Sequence, residues 1–233
     1  MRAGLLTDSK DVLALTGLAG CEVVPDAAAV SGGSGDAVVE IDWNEHQRRL
    51  AAGFVGITDL PLLDRLLTLP YGEPILRRDL SPRDSSAFCA APAAAVETSE
   101  TCVRRVLKPV VRVSLVVVRD TTWRVGLRRA AAFEPFAQRV LLLPSRPQRL
   151  DHKIWEADCL GVGVWVMDGD QIQQLVAPAP WKQHYVKAAG WRFTERVYTI
   201  WRAATATLRP GSCGDVRGRP ARQAAAEPDQ LPF

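Results

Sequence analysis

No run of roughly 18 consecutive apolar residues occurs anywhere in the 233-residue chain, so no membrane-spanning helix is expected. Asp8 and Asp11 fall where the apolar region of a secretion signal would have to lie, which argues against export and for the cytoplasm. The five cysteines (Cys21, Cys89, Cys102, Cys159 and Cys213) form no CxxC and no short-spaced Cys/His cluster, so zinc is not indicated. Their odd number and wide spacing read as free or structural thiols in a reducing compartment. The three histidines, His46, His152 and His184, lie far apart in polar contexts and compose no local catalytic pattern. The glycine cluster Ser31–Gly35 is not followed by Gly-Lys-Ser/Thr; a P-loop is excluded, and a flexible hairpin connection is the reading.

What the chain does have is a strong internal asymmetry of charge. Residues 1–103 hold 8 basic and 15 acidic side chains, whereas 104–233 hold 21 and 11, giving −7 and +10. That imbalance suits either a basic surface that collects phosphates or two halves that attract each other and dock.

The clearest pattern runs from Val110 to Met167. Val110–Arg119 is a β-branched apolar run of the kind a buried strand needs. A helix over Trp123–Gln138 places Trp123, Gly126, Leu127, Ala130, Phe133 and Ala137 on one face and turns Arg124 and Arg128 away. A strand over 139–143, a helix over 150–160 and a strand over 161–167 complete an alternation that implies a small α/β sheet core.

Upstream, a short helix over 5–18 is followed by two strand-like runs, 21–24 and 37–41. Asn44 caps a helix ending near Gly53, and Asp59 caps another over 59–69 that carries an early proline. A turn at Tyr71–Pro74 and a short element over 75–80 leave room for a helix-turn-helix, although a plain helical hairpin is the preferred reading. Downstream, Asp168-Gly-Asp170 marks a hairpin turn, and a closing helix spans 189–206. The division expected is a partly helical N-terminal region over 1–80, a linker or long loop over 81–103, the α/β core over 104–208 and a disordered tail over 209–233.

The residues Trp123-Arg-Val-Gly-Leu-Arg-Arg-Ala-Ala-Ala-Phe133, Phe136-Ala-Gln-Arg-Val140 and Ala157-Asp-Cys-Leu-Gly-Val-Gly-Val164 resemble the RecB-like branch of the PD-(D/E)XK restriction-endonuclease-like superfamily. The resemblance covers residues 110–176 and implies a small mixed sheet flanked by helices, with a restriction-endonuclease-like core. It also implies a strand carrying Glu-x-Lys and a following helix carrying Gln-x-x-x-Tyr. In that chemistry an Asp and a Glu hold a divalent metal, and a lysine positions or activates water. In register with the Trp-Arg pair, the Glu position falls on Val117 and the Lys position on Arg119; Arg129 and Phe133 replace Gln and Tyr. The Asp is expected near 103–107, where the sequence reads only VRRVL. Valine cannot ligate a metal and arginine stays protonated, so on this register the site is dead.

A second register takes Val24-Pro25-Asp26, then Glu40-Ile41-Asp42, as a carboxylate cluster on two strands. Asp26, Glu40 and Asp42 would then bind Mg²⁺, and the plain alternative is an acidic hairpin facing solvent. Glu134 reads as a lone inward carboxylate, or as one paired with an arginine. Trp155, Trp165, Trp181, Trp191 and Trp201 could stack on bases, but their periodic apolar settings favour core packing. The expectation from sequence is a nucleic-acid-associated protein with a decayed nuclease-like core and no cofactor. Arg119, Arg124, Arg128 and Arg129 would contact DNA phosphates. Two alternatives stand beside it: a metal-dependent nuclease using the N-terminal carboxylates, and a protein-interaction module without either activity.

Overall fold

The structure is a computed structural model that describes residues 12–14, 17, 18, 20–169, 171–183 and 186–207. Most of the helix expected over 5–18, together with Asp170, His184 and the tail from 209, lies outside the described residues. The architecture is α/β: a mixed six-stranded sheet, a three-stranded sheet and flanking helices. No helix among the described residues is long and apolar enough to cross a membrane.

Strands β1 (Glu22–Val30) and β2 (Gly33–Ile41) form a long antiparallel hairpin. The glycine cluster is less a flexible connection than a packing device. Only Ser31 and Gly32 make the turn, and Gly33 and Gly35 belong to β2. A Cβ on Gly35 would lie 2.6 Å from the Val117 carbonyl oxygen, so the close approach of the next strand requires glycine there. That next strand is β6 (Val111–Arg119), antiparallel to β2 although some seventy residues later.

From β6 the chain follows the alternation read from sequence. It passes through α4 (Trp123–Ala131), β7 (Gln138–Leu143), α5 (Leu150–Cys159), β8 (Gly163–Asp168) and β9 (Gln171–Val176) to α6 (Ala188–Thr207). β6, β7 and β8 are parallel and β9 turns back, giving the order β1-β2-β6-β7-β8-β9. The sheet face bearing Val116, Val118, Leu141 and Val164 buries Leu127 of α4, Ala157 of α5 and Val197 of α6, together with Phe133 just past α4. The opposite face, with Val38, Leu115, Val117, Leu142 and Trp165, packs Val12.

The seventy residues between β2 and β6 build a second core. Helix α1 (Trp43–Ala51) starts at Asp42, whose carboxylate accepts from the Glu45 amide at 3.0 Å, so the cap is Asp42 rather than Asn44. Helix α2 (Leu60–Leu67) starts at Asp59, as its Asp-Leu-Pro signature predicts. No helix-turn-helix follows it, because 74–76 form β3 (Pro74–Leu76) and the next turn is 3-10. The stretch 81–103, expected as linker, contains α3 (Pro82–Ala90), β4 (Val96–Thr98) and part of β5 (Cys102–Arg105). Its weak periodicity reflects short elements: β3, β5 and β4 make a small antiparallel sheet over Leu63, Leu66, Phe88, Val103 and Leu107. The N-terminal hairpin, for its part, is hydrogen-bonded into the same sheet as residues 111–176.

Helix α6 serves both cores. Trp191 closes the small one, and Phe193, Val197, Tyr198 and Trp201 close the large one. The two are joined by a buried ionic network. Arg49 on α1 is fully buried and donates to Glu195 on α6 at 2.6 and 2.8 Å and to Glu45 at 2.9 Å. The same guanidinium donates to the Lys108 carbonyl, and the Trp191 indole donates to Glu195. Every arm of this arrangement is satisfied, which is the condition for holding charges in a core.

Removing one partner strands the others. Arg49→Met is expected to cost about 3–5 kcal/mol in urea unfolding, and adding Glu195→Gln should recover a substantial part of it. His46 gives a second measurement. It is buried beside the rings of Trp43, Trp201 and Tyr198, with Nδ1 3.0 Å from the Tyr198 hydroxyl. Burial, aided by the nearby Arg202 charge, lowers its pKa below the ordinary 6.5. The unfolded chain therefore takes up this proton first as pH falls. The stabilisation is complete above pH ~6.5 and is lost progressively below it. Unfolding free energy should fall between pH 7.5 and 5.5, and His46→Gln should flatten that slope.

Candidate nucleic-acid interface

β6 ends at Arg119, and Asp120 begins the turn into α4 by accepting from the Thr122 amide at 2.9 Å. Because β2 is antiparallel, its first residues lie at this same end, and Asp36 sits across from Val117. Asp36 is buried, and its Oδ1 accepts from the Asp26 amide at 3.0 Å. Its Oδ2 forms an ion pair with the Arg119 guanidinium at 2.5 Å, without hydrogen-bond geometry. One strand residue further, Arg129 reaches back from α4 to Asp120 at 2.8 Å. Two acid–arginine pairs thus stand side by side at the carboxyl end of β6. Beside them opens an apolar cleft of about 130 Å³ lined by Leu142, Leu143, Pro144 and Met167. The crevice at the carboxyl ends of parallel strands is where α/β sheets present ligands, since the loops there are free to diverge.

The register inferred from sequence puts a metal-binding Glu at Val117, and that side chain is fully buried against Leu115, Val140 and Trp165. The acid expected near 103–107 is not there, because Cys102–Arg105 belong to the small second sheet. The carboxylate that faces Val117 is Asp36, which the sequence reading did not single out. Its signal was available: an acid inside Gly35–Val39, a stretch otherwise composed of buried small and apolar residues.

The structure does not bring Asp26, Glu40 and Asp42 together. Asp26 occupies a bulge between the pairs Val24–Ala37 and Ala28–Gly35, with a left-handed φ of 51° and an exposed side chain. Glu40 lies four residues beyond Asp36 along β2, roughly 13 Å away at strand rise. There it pairs at 2.6 Å with Arg112, its cross-strand neighbour. Asp42 caps α1 and pairs with Lys108 at 2.5 Å. Burial would raise its pKa, but the Lys108 ammonium and the Glu45 and Asn44 amides hold it below the usual carboxylate value. Asp42 in turn raises the Lys108 pKa. Among the described residues no group of three or more His, Cys, Asp and Glu side chains is arranged to hold a metal. At the carboxyl end of β6, Arg119 puts a permanent cation against Asp36.

Arg124 and Arg128 are exposed on the outer face of α4 and form no ion pair among the described residues, whereas Arg119 and Arg129 are engaged as above. Glu134 is exposed rather than inward, since it lies past the end of α4, and its carbonyl accepts from the Trp181 indole at 3.0 Å. Trp165, Trp191 and Trp201 are core residues, Trp181 is half-buried, and Trp155 is 66% exposed. The two described histidines are not assembled either: His46 is buried against α6, and His152 is exposed on α5.

Compared with protein-family models, with curated proteins and with solved structures, the chain has no match in any of the three.

Proposed function

We propose that this chain is a nucleic-acid-binding protein built on a nuclease-like α/β core in which the hydrolytic centre has been replaced by fixed ion pairs. The observation that carries the reading is the Asp36–Arg119 pair opposite Val117. An acid stands where a metal would be held, the second metal-binding position is an aliphatic side chain, and the lysine position is a guanidinium bound to the acid. Such a site cannot generate a metal-bound nucleophile, because one of its two carboxylates is missing and the other is neutralised.

Arg124 and Arg128 project beside that end of the sheet, and Arg129 shares the same helix. Guanidinium groups on a helix face contact phosphate oxygens and position a strand without reading its sequence. Binding of this kind releases counterions and weakens steeply with salt. The partner we propose is therefore DNA engaged through its backbone, with no cofactor.

Duplex binding followed by fluorescence anisotropy between 50 and 300 mM salt tests this. Affinity should fall along a linear log–log slope. Arg124→Ala and Arg128→Ala should each weaken binding about equally across sequences and reduce the slope by about 1. Cleavage of plasmid or single-stranded DNA with Mg²⁺ or Mn²⁺ should be absent. Salt-independent affinity or metal-dependent cleavage would overturn the proposal. A gain-of-site variant probes the same geometry from the other side. Val117→Glu with Arg119→Lys should be less stable than the parent, because it buries a carboxylate, and should gain thermal stability on adding Mn²⁺. The parent should show no such Mn²⁺ shift.

A further inference from the structure

A second cleft, of about 460 Å³, lies at the opposite end of β6, between the start of that strand and the first turn of α6. Its volume falls in the range of small-molecule sites. Two of its walls are aromatic and held in place. The Trp181 indole is fixed by its hydrogen bond to the Glu134 carbonyl, and Phe136 packs on Phe193 with ring centroids 4.8 Å apart. The floor includes Val111 and Val113. At the rim, Arg112 and Glu40 form an ion pair in which both side chains are largely exposed, at 72% and 54%. A pair so exposed holds its partners only weakly, so Arg112 can exchange Glu40 for an incoming anion while Glu40 remains hydrated.

Flat aromatic walls with a cation at the mouth select a planar ring that carries an anionic group. A purely aliphatic ligand would leave Arg112 unused, and an inorganic anion would leave the aromatic walls unused. Gln183, also on the lining, offers both a donor and an acceptor to the polar edge of such a ring. We propose that this cleft binds a nucleotide, with the base against Trp181 and Phe136 and the phosphate at Arg112. The nucleotide is either free in solution or an unpaired unit of a single strand. Only the second source rests on the nucleic-acid reading given above, and the arginines of α4 are not involved in either.

Gly190 supplies the test. It lines the cleft in the first turn of α6, and a Cβ built on it meets no atom within 4 Å. Gly190→Phe should therefore fill the cleft without disturbing the fold, and Gly190→Ala should leave both fold and binding intact. Calorimetric titrations of the full chain would use adenosine monophosphate, uridine monophosphate, adenosine, inorganic phosphate and a ten-residue oligothymidylate. A mononucleotide should bind, and Gly190→Phe should weaken it at least about tenfold. Arg112→Ala, an exposed substitution, should weaken the mononucleotide several-fold and leave adenosine unchanged. Saturation by a mononucleotide assigns the free ligand. Saturation by the oligonucleotide alone, lost in Gly190→Phe, assigns the strand.

No binding by any nucleotide up to 10 mM, or binding that survives Gly190→Phe in a protein whose unfolding curve matches the parent's, would overturn the assignment. Duplex affinity that depends on Arg124 and Arg128 but not on Gly190 leaves the proposed function standing if the cleft fails. A mononucleotide that binds while duplex affinity ignores salt does the reverse.

Discussion

The arrangement of this molecule depends on Arg49. Its guanidinium is removed from water and surrounded by two carboxylates, a carbonyl and the rings of Phe54 and Tyr198. An isolated charge in that position would be prohibitive, so Glu195 and Glu45 have to be where they are before the helices can close. Glu195 lies on α6 one turn after Trp191 of the small core and among the residues that pack the large one. That network ties the segment between β2 and β6 to α6. Directional hydrogen bonds specify one docking geometry, where apolar contact alone would tolerate several.

With α6 in place, the sheet presents a cleft near each end of β6. The hairpin β1–β2 joins β6 so closely that only glycine fits at position 35, and this proximity brings Asp36 to Arg119. The same antiparallel pairing carries Glu40 to Arg112 at the other end. Three residues of strand separate these two acids, and that distance sets the chemistry available. Carboxylates spread along a strand meet separate cations and cannot converge on one ion, whereas a metal site needs its oxygens within a single coordination sphere.

The parts of the fold that were legible in the sequence are those whose pattern is local. β6, α4, β7, α5 and β8 carry strong apolar periodicity, and their boundaries fall close to those read from it; only the end of α4 was placed too late, at Gln138 instead of Ala131. What was not legible depended on partners distant in sequence. The stretch 81–103 lacks periodicity because α3 and β4 are short and bury few side chains each, among them Phe88 and Val96. Asp36 stands out as an acid on an apolar strand, but its partner is known only when β6 supplies Arg119. The Pro-Asp…Glu-x-Asp string misled for a complementary reason. It has the right residues, but a bulge at Asp26 and the length of β2 hold them apart.

The same pairing brings charges of the two halves of the chain together. Asp36, Glu40 and Asp42 from the acidic half each meet a cation from the basic half, namely Arg119, Arg112 and Lys108. Glu195 of the basic half reciprocates with Arg49. The acids of β2 are consumed along β6, so they are not available to offset the helix that follows it. Arg124 and Arg128 are left on α4 facing solvent, directly after the strand on which the pairing takes place.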